Sequence, residues 1–294
     1  MQPPRASHRF AFPAMVLGSI TLGIGPWMVR LADVGPLASG FWRTALATPI
    51  LLLMMPLARQ PVPRLGQGGW IFVLIAGAAF SFDLATWHLG IVRTTLANAT
   101  LFGNTTSFIY AAWGFAIARQ LPDRRAAMAL ALAFAGVALL MGRSYQLNPQ
   151  HLGGDLLCIA AAGFYTVYLI AIGQLRDRLS PLSALALPTV IAATVSCVIA
   201  MTFEQSIWPA NWIPLIVLAV TCQLLGQGLL VYAVGHLQPV VVGLCLLIQP
   251  VISAAIGWVA YEERLAMPDF IGALMIGAAL ILVRREAAPT AKTD

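Results

Sequence analysis

Residues 181–203 read PLSALALPTVIAATVSCVIAMTF, twenty-three positions without one charged side chain. At ~1.5 Å per residue, a helix of that length spans the ~30 Å hydrocarbon layer of a bilayer. A barrel strand would alternate in polarity over ~10 residues, and this run does not. Working outward in both directions, the same pattern recurs between charged and Pro/Gly-rich breaks. Apolar runs cover 11–31, 37–58, 70–91, 95–118, 126–142, 154–175, 181–203, 213–234, 240–261 and 269–284. They predict an all-α membrane protein with ten transmembrane helices. Composition points the same way: 60% of the 294 residues are apolar and 10% are charged, with a mean hydropathy of +0.84. Soluble domains run at roughly 45–50% and 25%. So few charges cannot cover a water-facing surface, which excludes a soluble enzyme, a disordered chain and an ordinary nucleic-acid binder. The partner this implies is the lipid bilayer, with no nucleic acid.

The first apolar run is too long for a cleavable signal and lacks a small-residue cleavage site, so it reads as the first span. Cys158, Cys197, Cys222 and Cys245 all fall inside predicted spans and read as small buried hydrophobes, not as disulfides or metal ligands. The basic residues set the orientation. An even number of spans puts both termini on one side. That side collects twelve of the 17 basic residues, among them Arg5, Arg9, Arg59, Arg64, Arg124, Arg176, Arg178, Arg285 and Lys292. The opposite side has Arg30, Arg93, Arg143 and Arg264, while Arg43 lies within a span. The bias places both termini of a multi-pass membrane protein in the cytoplasm.

The pair Pro181-Leu182 that opens the run has a counterpart, Pro36-Leu37, 145 positions earlier. At the same offset Gly18 meets Gly163, Trp87 meets Tyr232, Gly90 meets Gly235, Asn104 meets Gln249 and Trp113 meets Trp258. The shared offset divides the chain into repeats 1–145 and 146–294, each of five spans. An odd number of spans reverses the direction of entry, so the expected architecture is a pair of five-helix repeats of inverted topology. Secondary transporters use this plan to place a solute site near the membrane midplane.

These features resemble the EamA-type branch of the drug/metabolite transporter superfamily. The resemblance rests on Pro36-Leu37 opening the second helix, Arg43 within it, and Glu262-Glu263-Arg264-Leu265 closing the ninth. It rests also on the last helix with Gly272 and Gly277, and it covers nearly the whole chain. The first half departs from the pattern, with Ala118-Arg119-Gln120-Leu121 where an acidic Glu-Arg-Leu signature stands in the family. Within the branch the chain is most similar to bacterial aromatic amino-acid exporters of the YddG type. The resemblance implies a monomeric exporter of aromatic and other neutral amino acids, without cofactor or metal. The alternative is a broad drug or small-metabolite permease of the same superfamily.

Polar residues within the spans mark the candidate site, because ionisable groups in hydrocarbon are costly and default to functional hypotheses. Asp83 is the one carboxylate well inside a span, and Arg43 lies at a comparable depth. Their pairing reads either as a proton-coupling device or as a structural ion pair. His88 reads as an interfacial or cavity-lining donor, since a metal site would need further ligands in reach. Asn98, Leu101 and Asn104 on the fourth span, Gln223 and Gln227 on the eighth, and Gln249-Pro250 on the ninth form a second group. Neutral amides hold a zwitterion without fixed charge, and a mid-span proline frees the carbonyl four residues back. Interhelical hydrogen bonding is the competing role of those amides. Phe80, Trp87, Tyr165 and Tyr168 would supply the apolar wall. Trp27, Trp42, Trp70, Trp208 and Trp212 read as an interfacial belt, and Gly23, Gly25, Pro26 and Pro188 as kink points. No Walker loop, no Gly-x-Ser-x-Gly and no His-Glu-x-x-His occurs, so neither ATP coupling nor catalysis is expected.

Overall fold

The computed structural model describes residues 10–60, 65–94, 96–142, 149–204, 206–261 and 267–284. The Glu262–Leu265 motif lies outside them. Among the described residues the chain is helical, without strands. Seven helical stretches are long and apolar enough to cross a membrane: Ala11–Leu31, Pro36–Leu57, Gln67–Arg93, Leu152–Arg176, Pro181–Phe203, Ile213–Val234 and Pro239–Ala260. The other three expected spans are helical too, but they fall short of that measure. Leu96–Ala118 is interrupted, Arg124–Gly142 opens on two arginines, and Met267–Val283 is a shorter apolar helix.

The elements run α1 (Ala11–Leu22), α2 (Gly25–Leu31), α3 (Pro36–Leu57), α4 (Gln67–Arg93), α5 (Leu96–Gly103), α6 (Thr105–Ala118) and α7 (Arg124–Gly142). They continue with α8 (Leu152–Arg176), α9 (Pro181–Phe203), α10 (Ile213–Leu218), a π-helical segment (Ala219–Gly226) and α11 (Gln227–Val234). The last are α12 (Pro239–Leu246), α13 (Ile248–Tyr261) and α14 (Met267–Arg284).

Each break has a chemical cause. Pro26, at the start of α2, has no N–H to give, and the first run stops at Gly23-Ile24. A side chain at Gly23 would put a Cβ 2.7 Å from Ile252 Cβ, so glycine there lets α13 pack against the break. Between α5 and α6, the run Asn104-Thr105-Thr106 satisfies released carbonyls from its own side chains. Asn104 Nδ2 donates to Thr100 O (2.7 Å), Thr105 Oγ1 to Phe102 O (2.6 Å) and Thr106 Oγ1 to Gly103 O (3.1 Å). Between α12 and α13, Pro250 cannot donate to the carbonyl of Leu246, and the helix parts at Leu247. Pro188, by contrast, sits inside an unbroken α9.

Packing pairs α4 with α8, α3 with α9, α6 with α12 and α7 with α14, while α1 packs on the π segment and α11. Small residues dominate the contacts: Ala38, Ser39, Ala47, Ala76, Ala161, Ala162 and Ala192 are all buried. Close backbone approach is how membrane helices gain dispersion energy when lipid is as apolar as the core. A side chain at Gly243 would collide with the carbonyl of Ser107, so that glycine sets the spacing of α12 and α6. Outward, Leu53, Ile75, Val198, Met201, Leu274 and Ile281 are exposed, an apolar exterior suited to hydrocarbon.

One end of the bundle is tied by polar contacts. Asp33 Oδ2 accepts from the N–H groups of Ala210 (2.8 Å) and Asn211 (2.9 Å). Glu204 Oε1 accepts from Leu37 N (2.9 Å) at the start of α3, where an anion is favoured by the helix dipole. Three of the tryptophans assigned to the belt meet there: Trp42 lies 5.2 Å from Trp208 and 4.8 Å from Trp212, ring to ring.

Candidate functional site

A cavity opens between helices of both halves of the chain. From the first half it is lined by Pro26, Arg43, Phe80, Asp83, Trp87 and Asn104; from the second, by Ala161, Tyr165, Gln227, Leu246, Gln249 and Ser253. Every broken or irregular span contributes: the α1/α2, α5/α6 and α12/α13 breaks and the junction of the π segment with α11. Irregular backbone at membrane depth is tolerated where it lines a cavity.

The wall is built from aromatic rings held by a buried polar string. Phe80 of α4 stacks on Tyr168 of α8 (centroids 4.8 Å apart), and Tyr168 on Tyr165 (5.5 Å). The Arg43 guanidinium carbon lies 5.4 Å from the centroid of Phe80, a cation–π contact. Arg43, 4% exposed, donates from Nε to Gln223 Oε1 at 3.2 Å. Gln223 donates onward from Nε2 to Thr189 Oγ1 (3.1 Å), which itself donates to Leu185 O (2.8 Å). α3, the π segment and α9 are thereby bridged by one amide. Gln227, one turn on, accepts from Tyr168 OH (3.2 Å) and donates to Tyr165 OH (3.0 Å).

The candidate residues fall into three groups. Arg43, Phe80, Asp83, Trp87, Asn104, Tyr165, Gln227 and Gln249 line the cavity together. Tyr168 and Gln223 stand behind that layer and hold it in place. Asn98, Leu101 and Pro250 are not part of the lining. Asn98 is turned to Asp155 at the start of α8, donating from Nδ2 to Oδ1 (3.1 Å) and Oδ2 (3.2 Å). Thr94 Oγ1 donates to the same carboxylate at 2.6 Å. This buried cluster staples the α4–α5 turn to α8, and no spacing rule points to it, because the three residues come from three elements. Arg43 and Asp83 share the cavity without a hydrogen bond between them, the Arg43 Nε being given to Gln223.

His88 is buried against the start of α3 instead of facing the cavity. Its Nδ1 lies 2.8 Å from Ser39 Oγ and 3.0 Å from Pro36 O. A carbonyl only accepts, so Nδ1 carries the proton there. Ser107 carries no signal in the sequence, yet it lines the cavity with a buried Oγ that has no hydrogen-bond partner.

Comparison with known proteins adds a family to this geometry. The model of the EamA-like transporter family matches the chain twice, over residues 9–142 and 152–285. A protein of Archaeoglobus fulgidus described as an uncharacterized transporter is 22% identical over 253 residues, covering 84% of this chain and 86% of its own. One known crystal structure superposes with a TM-score of 0.76 at 18% identity, over 94% of this chain and 97% of its own, and so shares the fold. With its apolar helices, interrupted spans and central cavity, the chain is a multi-pass membrane protein that belongs to the EamA-like transporter family of the drug/metabolite transporter superfamily.

Proposed function

We propose that the protein exports amino acids, aromatic and other neutral ones, across the bacterial inner membrane by alternating access around the central cavity. The observation that carries this reading is the cavity's composition. Phe80, Trp87 and Tyr165 supply apolar and aromatic area, the Gln249 amide supplies neutral hydrogen bonding, and Asp83 and Arg43 supply one charge of each sign. A sugar phosphate would call for several cations, and Arg43 is the one cation lining the cavity among the described residues.

In this reading the protein acts as a monomer of ten spans, α5–α6, α7 and α14 included, with both termini in the cytoplasm. Two inverted repeats, 1–145 and 146–294, are supported by the packing pattern. Adding 145 to the α4–α8 pair leads to the packing of the π segment and α11 on α1; the α4–α9 pair leads likewise to the π segment on α3. The α3–α9 and α7–α14 pairs map onto themselves. The breaks at Asn104 and Leu247 fall within two positions of each other at the same offset. Two related packings around one site are what alternating access requires.

Counterflow in proteoliposomes tests the substrate. Labelled phenylalanine and threonine should both exchange. Movement of a lipophilic cation alone would overturn the amino-acid reading and favour the broad permease, for which the unpaired Asp83 in an aromatic cavity is the supporting feature.

A further inference from the structure

Asp83 is half-buried in the cavity wall, and among the described residues its carboxylate has no hydrogen-bond donor and no ion-pair partner. A carboxylate at membrane depth is costly unless donors or a cation reach it. The cavity's own cation acts on it from across the cavity, with no hydrogen bond or close ion pair between them among the described residues. Arg43 is buried, spends Nε on Gln223 and lays its guanidinium over Phe80. What the cavity leaves unspent on its other walls is neutral. Gln249 makes no side-chain hydrogen bond among the described residues, and Ser107 Oγ, buried in the wall, has no partner. Tyr165 accepts from Gln227 and keeps its hydroxyl proton to give.

Taken together, these groups present an acidic side chain that no hydrogen bond ties down among the described residues, the Trp87 ring and several neutral donors. We propose that Asp83 selects the ligand by its cationic amine, with the ring on the aromatic wall, and that a carboxylate on the ligand is dispensable. Neutral donors accommodate a carboxylate without requiring one. Aromatic primary amines that lack the acid therefore bind at least as well as the corresponding amino acids, and aromatic acids that lack the amine bind poorly. The inference rests on the reading of the cavity as an amino-acid site and names the part of the amino acid that the site recognises.

Calorimetric titration of the purified full-length protein in detergent, with phenethylamine, phenylalanine and 3-phenylpropionate as probes, tests it without recourse to transport. Phenethylamine should bind at least as tightly as phenylalanine, and 3-phenylpropionate at least about tenfold more weakly. Asp83→Asn should weaken phenethylamine binding by about tenfold or more, and Asp83→Glu, which keeps the charge, should restore most of it. Tighter binding of 3-phenylpropionate than of phenethylamine would overturn the proposal and give selection to Arg43. So would undiminished amine binding by a folded Asp83→Asn protein. If Asp83-dependent amine binding holds while labelled phenylalanine fails to exchange in vesicles, the export reading falls and this one stands. If phenylalanine exchanges while amine binding does not depend on Asp83, the export reading stands and this one falls.

Discussion

Helix α4 and the α10–π–α11 span occupy corresponding positions of the chain, 145 residues apart, yet they are built differently. α4 is one unbroken helix of 27 residues. Its counterpart changes to π geometry over Ala219–Gly226, and that segment ends where Gln227 begins α11. Single-turn π segments cluster at functional sites because they re-aim side chains. Here Gln223 turns to Arg43 and Thr189, while Gln227 turns to the two tyrosines of α8.

The lesson extends around the cavity. Asp83 stands opposite Gly228 at the offset, Arg43 opposite Pro188, Phe80 opposite Leu225, and Gln223 and Gln227 opposite Ala78 and Phe82. Tyr168, which stacks on Phe80, stands opposite Gly23, where the first span breaks. Repetition supplies the frame, and departures from repetition supply much of the chemistry. Asn104 and Gln249 keep the same chemical character in both halves, as do Trp87 and Tyr232, yet the two amides have diverged in use. Asn104 gives its amide to Thr100 O of its own span, and Gln249, which lines the cavity, makes no side-chain hydrogen bond among the described residues.

Substitutions at paired positions put this contrast at risk. The largest loss is expected for Gln223→Leu, which leaves the buried Arg43 Nε without its acceptor and removes the donor that the Thr189 hydroxyl accepts from. Thermal or denaturant unfolding in detergent should show about 3 kcal/mol of destabilisation. A loss below about 1 kcal/mol would mean that the amide bridge is incidental. Gly23→Val tests the break opposite Tyr168. Its Cβ would fall 2.7 Å from Ile252 Cβ, and overpacking of that kind costs about 2 kcal/mol. Wild-type stability in that variant would show that α13 is free to move away from the break.

The amide pair separates stability from binding. Asn104→Leu should cost about 1 kcal/mol in unfolding, through the lost bond to Thr100 O. Gln249→Leu should leave unfolding almost unchanged and weaken phenylalanine binding in titration. Equal effects of the two on both readouts would erase the distinction drawn between them. Smallest of all is Phe82→Leu at the counterpart of Gln227. Phe82 is 44% exposed on the outer face, and a shift within about 0.5 kcal/mol is expected. A larger shift would mean that the ring contact of Phe82 with Phe164, 5.5 Å between centroids, carries more than an exposed pair should.

Some of the site is legible in the chain alone. Asp83, Phe80 and Trp87 stand at helical spacing on one element, so their convergence follows from periodicity. Asn104 and Gln249 are marked by the shared offset, and the break near Pro250 by the missing N–H. Other parts are not legible. The Arg43–Gln223–Thr189 string joins residues up to 180 positions apart, and nothing local in the chain indicates it. Asn98 illustrates the converse. An amide inside a span reads as a ligand group, but only the approach of α8 shows that Asp155 consumes it. Ser107 is one of many small polar residues, and its unsatisfied hydroxyl becomes visible only when the neighbouring helices are in place.

The amino-acid sequence by itself determined the solvent. With 10% charged residues and long uncharged runs, the chain can bury its apolar surface only in hydrocarbon, and backbone satisfaction there demands helices. It also marked the break at Pro26 and the carbonyl released by Pro250, because proline acts on its immediate neighbours, while Pro188 shows that the same residue can be carried inside an unbroken helix. The tertiary structure alone decided which polar groups stay free. Helix packing settles which donors meet an acceptor, and reach depends on crossing helices far apart in the chain. Asp83 faces the cavity without a hydrogen bond among the described residues, while Arg43 gives its Nε to Gln223.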